Sequence, residues 1–372
     1  MQLSVWEKES FYRPADVLIT GAGLVGLWTA YELALQKPGL RIAILEKGII
    51  PTGASTRNAG FACFGSPTEL LSNLQTIGPD ATWHTVEMRY KGIEKIRKVL
   101  TDKVIEFDAC GGYECISGNL QGLEEQLNEL NKSLQAITGL AETFTNAHEK
   151  LSAFGFAGFD ALVENKLEGG LHSGKMVQAL TQKVQSLGVE ILYGIAIENW
   201  EDNPGAVTVF TKQGIMFTTQ QLILCTNAFA GTLVPASGVV PGRGQVVVTS
   251  PIENLAFSGT FHFDEGYYYF RNLGNRVLLG GARNKAFEEE ATTDLVTTPT
   301  IQQELERFLY EHILPGKTFT IEHRWSGVMG FTQSKEPELQ QVSEKVISVT
   351  ACNGMGVALS PLMGERVAAY LE

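Results

Sequence analysis

The chain has 372 residues, which at roughly 150 residues per domain means two to three folding units and excludes a small disulfide-stapled scaffold. Apolar residues make up 44% and charged residues 19%, an ordinary globular balance, while 39 glycines exceed the usual ~7% and point to tight turns and ligand loops. With 29 Lys+Arg against 41 Asp+Glu the net charge is -12, which repels phosphate backbones and anionic membrane surfaces, so neither nucleic acid nor membrane is expected as a partner.

Residues 17–20 form a short apolar run ended by Gly21, after which Leu24, Leu27, Tyr31, Ala34 and Leu35 recur at helical spacing until Pro38 and Gly39. A strand resumes at 42–45, so residues 15–46 read as a βαβ unit that opens a parallel sheet. The stretch 15–35 is fairly apolar, but Asp16, Glu32 and three glycines suit a buried strand and helix better than a membrane span. Leu70, Leu74 and Ile77, then Met88, Ile93, Ile96 and Val99, predict helices up to residue 101. Leu123, Leu127, Leu130, Leu134 and Ile137 step by 4, 3, 4 and 3, a seam too short for a coiled coil and expected to pack onto the body. Residues 176–187 predict another amphipathic helix, followed by a strand at 189–195. Segments 207–210 and 215–218 flank Lys212, Gln213 and Gly214 as a hairpin, and 222–225 reads as a short buried strand. Between 242 and 281 the β-rich segments 246–249, 261–263, 267–271 and 277–279 leave no room for crossover helices, which predicts an antiparallel sheet and a second domain. A strand at 346–350 and a helix at 359–370 read as the return to the first domain.

The five cysteines, Cys63, Cys110, Cys115, Cys225 and Cys352, form no CxxC pair and read as structural thiols of a reducing compartment. Glu7, Lys8, Glu9 and Arg13 leave no apolar signal-peptide core in the opening residues, so a cytoplasmic protein is expected. The six histidines show no paired spacing for a metal.

GAGLVG, formed by Gly21, Ala22, Gly23, Leu24, Val25 and Gly26, fits GxGxxG between a strand and a helix: the first glycine turns, the second admits a pyrophosphate, the third lets the helix pack closely. Glu46 ends the second strand twenty residues after Gly26, the spacing at which a carboxylate accepts from ribose hydroxyls and disfavours a 2′-phosphate; Lys47 follows it in the same candidate set. Directly beyond lies GASTRNAG, Gly53, Ala54, Ser55, Thr56, Arg57, Asn58, Ala59 and Gly60, a small polar loop that NAD folds seldom need. Its backbone N–H groups suit flavin oxygens and a pyrophosphate, with Ser55 and Arg57 as anion contacts; a capped helix start is the structural alternative.

On these motifs the chain resembles the D-amino-acid-oxidase-like flavoenzymes, especially the amine-oxidising branch with glycine oxidase, sarcosine oxidase and γ-glutamylputrescine oxidase. The resemblance covers nearly the whole chain. It continues through CTNAF at 225–229, PGRGQ at 241–245, YYFR at 268–271, RVLLGG at 276–281, RWSGVMGFT at 324–332 and CNGMGVALSP at 352–361. It implies an α/β chain (α+β overall): a Rossmann-like FAD-binding domain over 1–88, 145–240 and 321–372, and a substrate domain with an antiparallel sheet over 89–144 and 241–320. Non-covalent FAD is implied, since Met329 falls where covalent sarcosine oxidases carry a flavin-linking cysteine. Further cofactor contacts are implied at Ile195, Thr226, Asn227 and the glycyl segment Asn353, Gly354, Met355, Gly356 and Val357.

The resemblance also implies hydride transfer from the carbon next to an amine to flavin N5, hydrolysis of the resulting imine, and reoxidation by oxygen or another acceptor. Tyr268 matches an active-site tyrosine and Arg271 belongs to the same YFR pattern. In alternation Tyr267, Tyr269 and Arg271 share one face of a strand and Tyr268 and Phe270 the other, so only one set can line a cavity. Met329 stands where glycine oxidase has its carboxylate-pairing arginine, and Lys335 replaces an arginine of the γ-glutamylputrescine branch. Two other readings stand beside the oxidase: a flavin dehydrogenase passing electrons to a quinone or protein, and a flavin-binding redox sensor without amine turnover.

Overall fold

The strand Ile42–Glu46 is buried at every position, as a central strand covered on both faces must be. It lies in a sheet ordered Glu338–Ser343, Val346–Thr350, Met216–Leu224, Ala15–Thr20, Ile42–Glu46 and Glu190–Tyr193. All neighbours are parallel except the first pair, where Glu338–Ser343 runs antiparallel. The computed structural model describes residues 2–118 and 120–371. By contacts the chain divides into two units: Met1–Thr56, Gly174–Pro241 and Met329–Glu372 form the first, and Arg57–Ser173 and Gly242–Val328 the second.

In the first unit the glycyl helix Leu24–Gln36 follows Ala15–Thr20 and packs along the closing helix Gly356–Tyr370. The expected hairpin is present, but its second arm and the expected short strand 222–225 are one strand, Met216–Leu224. Its outer half pairs antiparallel with Ala206–Thr211 and its inner half enters the parallel sheet. Leu18, Leu45, Val207, Phe217 and Leu222 share one apolar cluster here.

The second unit is built on a sheet ordered Ile321–Phe331, Val240–Thr249, Arg276–Gly281, Tyr268–Leu273, Thr260–Phe263, Gly112–Ile116, Ala161–Asn165 and Phe144–Asn146. It is mixed, because Gly112–Ile116 runs parallel to Thr260–Phe263. The segments expected to pair antiparallel between 242 and 281 do so, Val240–Thr249 with Arg276–Gly281, that strand with Tyr268–Leu273, and that one with Thr260–Phe263; the parallel strand arrives from a distant part of the chain. Residues 57–88, 145–173 and 321–328, expected with the FAD-binding domain, group by contacts with the second unit, where Ala161–Asn165 bonds to Gly112–Ile116 along its full length. One face of the sheet is aromatic, with Phe261 stacked on Phe270 at 4.7 Å and Tyr268 on Phe308 at 4.4 Å. The leucine seam forms the helix Leu123–Thr138, which docks on the body through Leu127, Leu130 and Leu134. Its Asn131 side chain bonds the backbone of Thr143 and Phe144. Among the described residues no helix is long and apolar enough to cross a membrane.

Candidate cofactor and active site

The first unit carries the dinucleotide motif in the form its spacing predicts. Gly21 adopts φ +91° and its N–H donates to Leu45 O, turning the chain from the strand. A Cβ on Gly26 would lie 2.0 Å from Gly21 O, so this position admits only hydrogen. The glycyl helix has Gly23 at its N-cap and no side-chain cap there. Ser55 Oγ accepts from Leu24 N at 2.9 Å, which ties the polar loop to that helix start. Glu46 is buried; its Oε2 accepts from Ala22 N at 2.9 Å and its Oε1 from Gly48 N at 2.8 Å, and Ile195 N donates to its carbonyl. Each carboxylate oxygen keeps a lone pair for a further donor.

The other first-unit candidates divide. Lys47 is turned onto the Phe229 ring, Nζ 3.6 Å from the centroid, and burial pushes its pKa down. Thr226 Oγ1 is buried with no hydrogen-bond partner, and Asn227 stands at φ +46° at the start of a short turn. Asn353 and Gly354 are both left-handed, at φ +48° and +85°, just before the closing helix, whose N-cap is Met355. The Asn353 side chain binds the protein itself: Oδ1 accepts from Thr332 N and Nδ2 donates to the carbonyls of Ala351 and Glu336. Met329 Sδ lies beside this segment, 3.8 Å from where a Gly354 Cβ would stand.

The division of the chain falls inside the polar loop, and Arg57 to Gly60 belong to the second unit. Arg57, expected as an anion contact, donates from Nη1 to Ser326 O, and its carbonyl accepts from Trp325 Nε1. Ala59 packs on the cluster of Val246, Val248 and Leu278, as does Trp325. Asn58 Oδ1 accepts from Gly60 N at 2.8 Å and from Ser173 Oγ at 2.6 Å.

The catalytic candidates Tyr268 and Arg271 are separated by the sheet. Tyr268 is on the aromatic face, 3% exposed, and its hydroxyl donates to Glu304 at 2.6 Å. Burial and that carboxylate push its phenol pKa up. Alternation along Tyr268–Leu273 puts Tyr269 and Arg271 on the opposite, polar face, as the sequence alternation implies, and it is the Tyr268 and Phe270 set that enters the aromatic core. Tyr269 pairs across the strands with His262, and His262 with Glu114. Phe61 stands edge-on to His262 at 5.2 Å and to Tyr269 at 6.0 Å. Burial pushes Tyr269 up to about 12 and His262 down to about 4, so both are neutral near pH 7. Arg271 is 7% exposed.

Beside this face the segment after Phe61 is held by carboxyls that the sequence did not single out. Glu168 Oε1 accepts from Phe64 N at 2.8 Å, Glu114 accepts from Ser66 Oγ and Thr68 N at 2.9 Å each, and Glu69 pairs with Arg89 at 2.8 Å. Burial pushes Glu114 up to about 7 and Glu168 to about 8. No local pattern marks these glutamates; their partners lie 46 and 104 residues away in sequence.

The residues of the first unit fit a dinucleotide: a helix start whose glycine N-cap makes no side-chain bond of its own, a buried acceptor at the ribose spacing, and the buried, orphaned hydroxyl of Thr226. Gamma-glutamylputrescine oxidoreductase of Escherichia coli (strain K12) is 24% identical over 375 residues, covering 96% of this chain and 83% of that protein. Among solved structures, L-proline dehydrogenase from P. horikoshii matches with a TM-score of 0.75 at 18% identity, over 97% of this chain and 94% of that one. Glycine oxidase from Geobacillus kaustophilus matches with a TM-score of 0.75 at 20% identity, over 95% and 94%. At these identities the two structures establish the fold. Residues 16–370 match the family described as DAO, FAD dependent oxidoreductase, and with the glycine turn, a buried carboxylate at the ribose spacing and nearly the entire chain in agreement, the protein belongs to that family and takes FAD as its cofactor.

Proposed function

We propose that the protein oxidises the C–N bond of an amine or amino acid with non-covalently held FAD, in the reducing cytoplasm. The observation that carries this reading is the match, over nearly the full chain, to proteins whose names give glycine, proline and γ-glutamylputrescine as the molecules acted on, each with an amine nitrogen on an oxidisable carbon. When bound, FAD supplies the hydride acceptor; the substrate leaves as an imine that water hydrolyses, and oxygen or another acceptor removes the two electrons. The chain's own part is to bind and orient. Glu46 receives ribose hydroxyls, and the first-turn amides of the glycyl helix and those near Gly354 to Val357 receive anionic groups. The neutral aromatic face of Phe61, Tyr269 and His262 offers a substrate amine no proton source, which suits a reaction of the neutral amine.

Non-covalent attachment is supported by the thiols: Cys63, Cys115, Cys225 and Cys352 are buried, and burial pushes Cys225 and Cys352 up to about 12, leaving them protonated and inert. The absence of a paired cysteine among the described residues also supports a reducing compartment. A dehydrogenase that passes electrons to a quinone or protein is favoured by the proline dehydrogenase match.

Stopped-flow mixing of the yellow holoenzyme with a panel of primary amines, secondary amines and amino acids tests the reading. Bleaching of the flavin band by a panel member, with peroxide formed on turnover in air, supports an oxidase. Bleaching without peroxide supports the dehydrogenase, and no bleaching by any member removes the amine reading in favour of a redox sensor.

A further inference from the structure

We infer that Arg271 is a positioning residue for the cofactor loop: its guanidinium is the post that fixes the Gly60 end of residues 53–60 against Gly170 and Leu171. The inference rests on FAD as the cofactor and holds whichever amine or acceptor is used. Arg271 Nη1 donates to Gly60 O at 2.7 Å and to Leu171 O at 3.1 Å, and its Nε donates to Asn272 O at 3.1 Å. Leu171 N donates to the same Gly60 carbonyl at 2.8 Å, while Gly60 N donates to Asn58 Oδ1. One residue of the loop is thereby held at both its N–H and its carbonyl, by a side chain entering from a strand 211 residues further along the chain.

The neighbours are cut to the guanidinium. A Cβ on Gly170 would lie 2.3 Å from Arg271 Cζ and Nη2, and one on Gly60 would lie 2.3 Å from Leu171 O and 3.0 Å from Arg271 Nη1. A lysine could carry the charge but not the fork, because two carbonyls and the strand's own Asn272 carbonyl are met by three N–H vectors fixed in one plane. The donors that a substrate carboxylate would need from Nη1 and Nε are already committed to backbone. On this inference Arg271 acts through the loop by its Nη1 and Nε donors, a different role from the one its YFR pattern suggests.

The test uses the full-length holoenzyme and the substitutions R271M, R271K, G170A and R271M/G170A. The readouts are the rate of FAD release on dilution, followed by flavin fluorescence, and the rise in thermal midpoint when FAD is added back. Losing a charge-assisted pair of buried hydrogen bonds predicts FAD held about 10- to 100-fold more weakly in R271M and R271K. G170A leaves the charge in place but evicts the guanidinium, so it moves FAD release the same way, and the double variant is no weaker than R271M alone. A general structural role would lower the thermal midpoint without FAD and leave the FAD-induced rise intact; positioning predicts that the rise itself shrinks. The proposal is overturned if R271K holds FAD like wild type, if G170A and R271M are fully additive, or if R271M keeps FAD and loses only affinity for carboxylate ligands. Should R271M not fold, G170A decides: folded protein with accelerated FAD release supports the post, and wild-type retention overturns it. A wild-type protein that binds no FAD would overturn the cofactor assignment and this inference together.

Discussion

Gly26 and Tyr268 show how single positions are constrained by what faces them. A methyl on Gly26 would meet a backbone carbonyl at 2.0 Å, and backbone cannot rotate away as a side chain can. Gly26→Ala is therefore expected to cost about 1–3 kcal/mol as overpacking between strand and helix, and to release FAD. Denaturant unfolding with flavin fluorescence checks both, and unchanged retention would show that the turn relaxes. Tyr268 is committed to the aromatic core and to Glu304. Tyr268→Phe leaves a partly buried carboxylate one donor short, which predicts a stability loss of about 1–3 kcal/mol with kcat/KM for an amine substrate within about twofold of wild type. A large fall in kcat/KM at unchanged stability would return Tyr268 to the reacting site. In the sequence, YYYFR announced two faces by alternation. Which face met the core depended on Phe308 and Glu304, some 40 residues on, and no local pattern carries that.

At the scale of elements, the segment between Phe61 and the helix Pro67–Thr76 hangs on two buried glutamates, Glu114 and Glu168, and on buried Arg89 with its half-buried partner Glu69. Glu114, at about 7, and Glu168, at about 8, lie above the ~4.3 of an unfolded glutamate, because burial disfavours their charged forms. The folded chain then binds protons that the unfolded chain has already released. Their contribution is complete below pH ~4.3 and is lost as pH rises through about 7 and 8, a few kcal/mol per carboxyl at most. The thermal midpoint is expected to fall between about pH 4 and 8 from this source, and Glu168→Gln, which stays neutral, should flatten that fall. A variant whose midpoint follows pH as wild type does would remove Glu168 from the linkage. The helices and the first βαβ unit were legible because their periodicity is local. The strands Gly112–Ile116 and Ala161–Asn165 were not, since their partners come from distant chain.

For the molecule as a whole, the chain builds the first unit from three segments and the second from two, so neither unit is complete until late in the sequence. A cofactor held without a covalent bond stabilises by mass action, about 2.7 kcal/mol at a free concentration one hundred times its Kd. Adding FAD to deflavinated protein should therefore raise the thermal midpoint in a concentration-dependent way, and acid precipitation should leave free FAD in the supernatant. Yellow colour retained in the pellet would mean a covalent link and contradict the buried, protonated thiols. The sequence by itself determined the dinucleotide turn and the first βαβ unit, because each rests on spacing within a few turns of chain, and the family, because its motifs recur in order along nearly the whole chain. Tertiary structure alone decided that Tyr268 faces the core, that Asn353 and Arg57 are spent on the protein's own backbone, and that glutamates scattered over a hundred residues hold one segment. Burial and hydrogen-bond partnership arise from chain segments that meet only on folding, and neither leaves a period in the sequence.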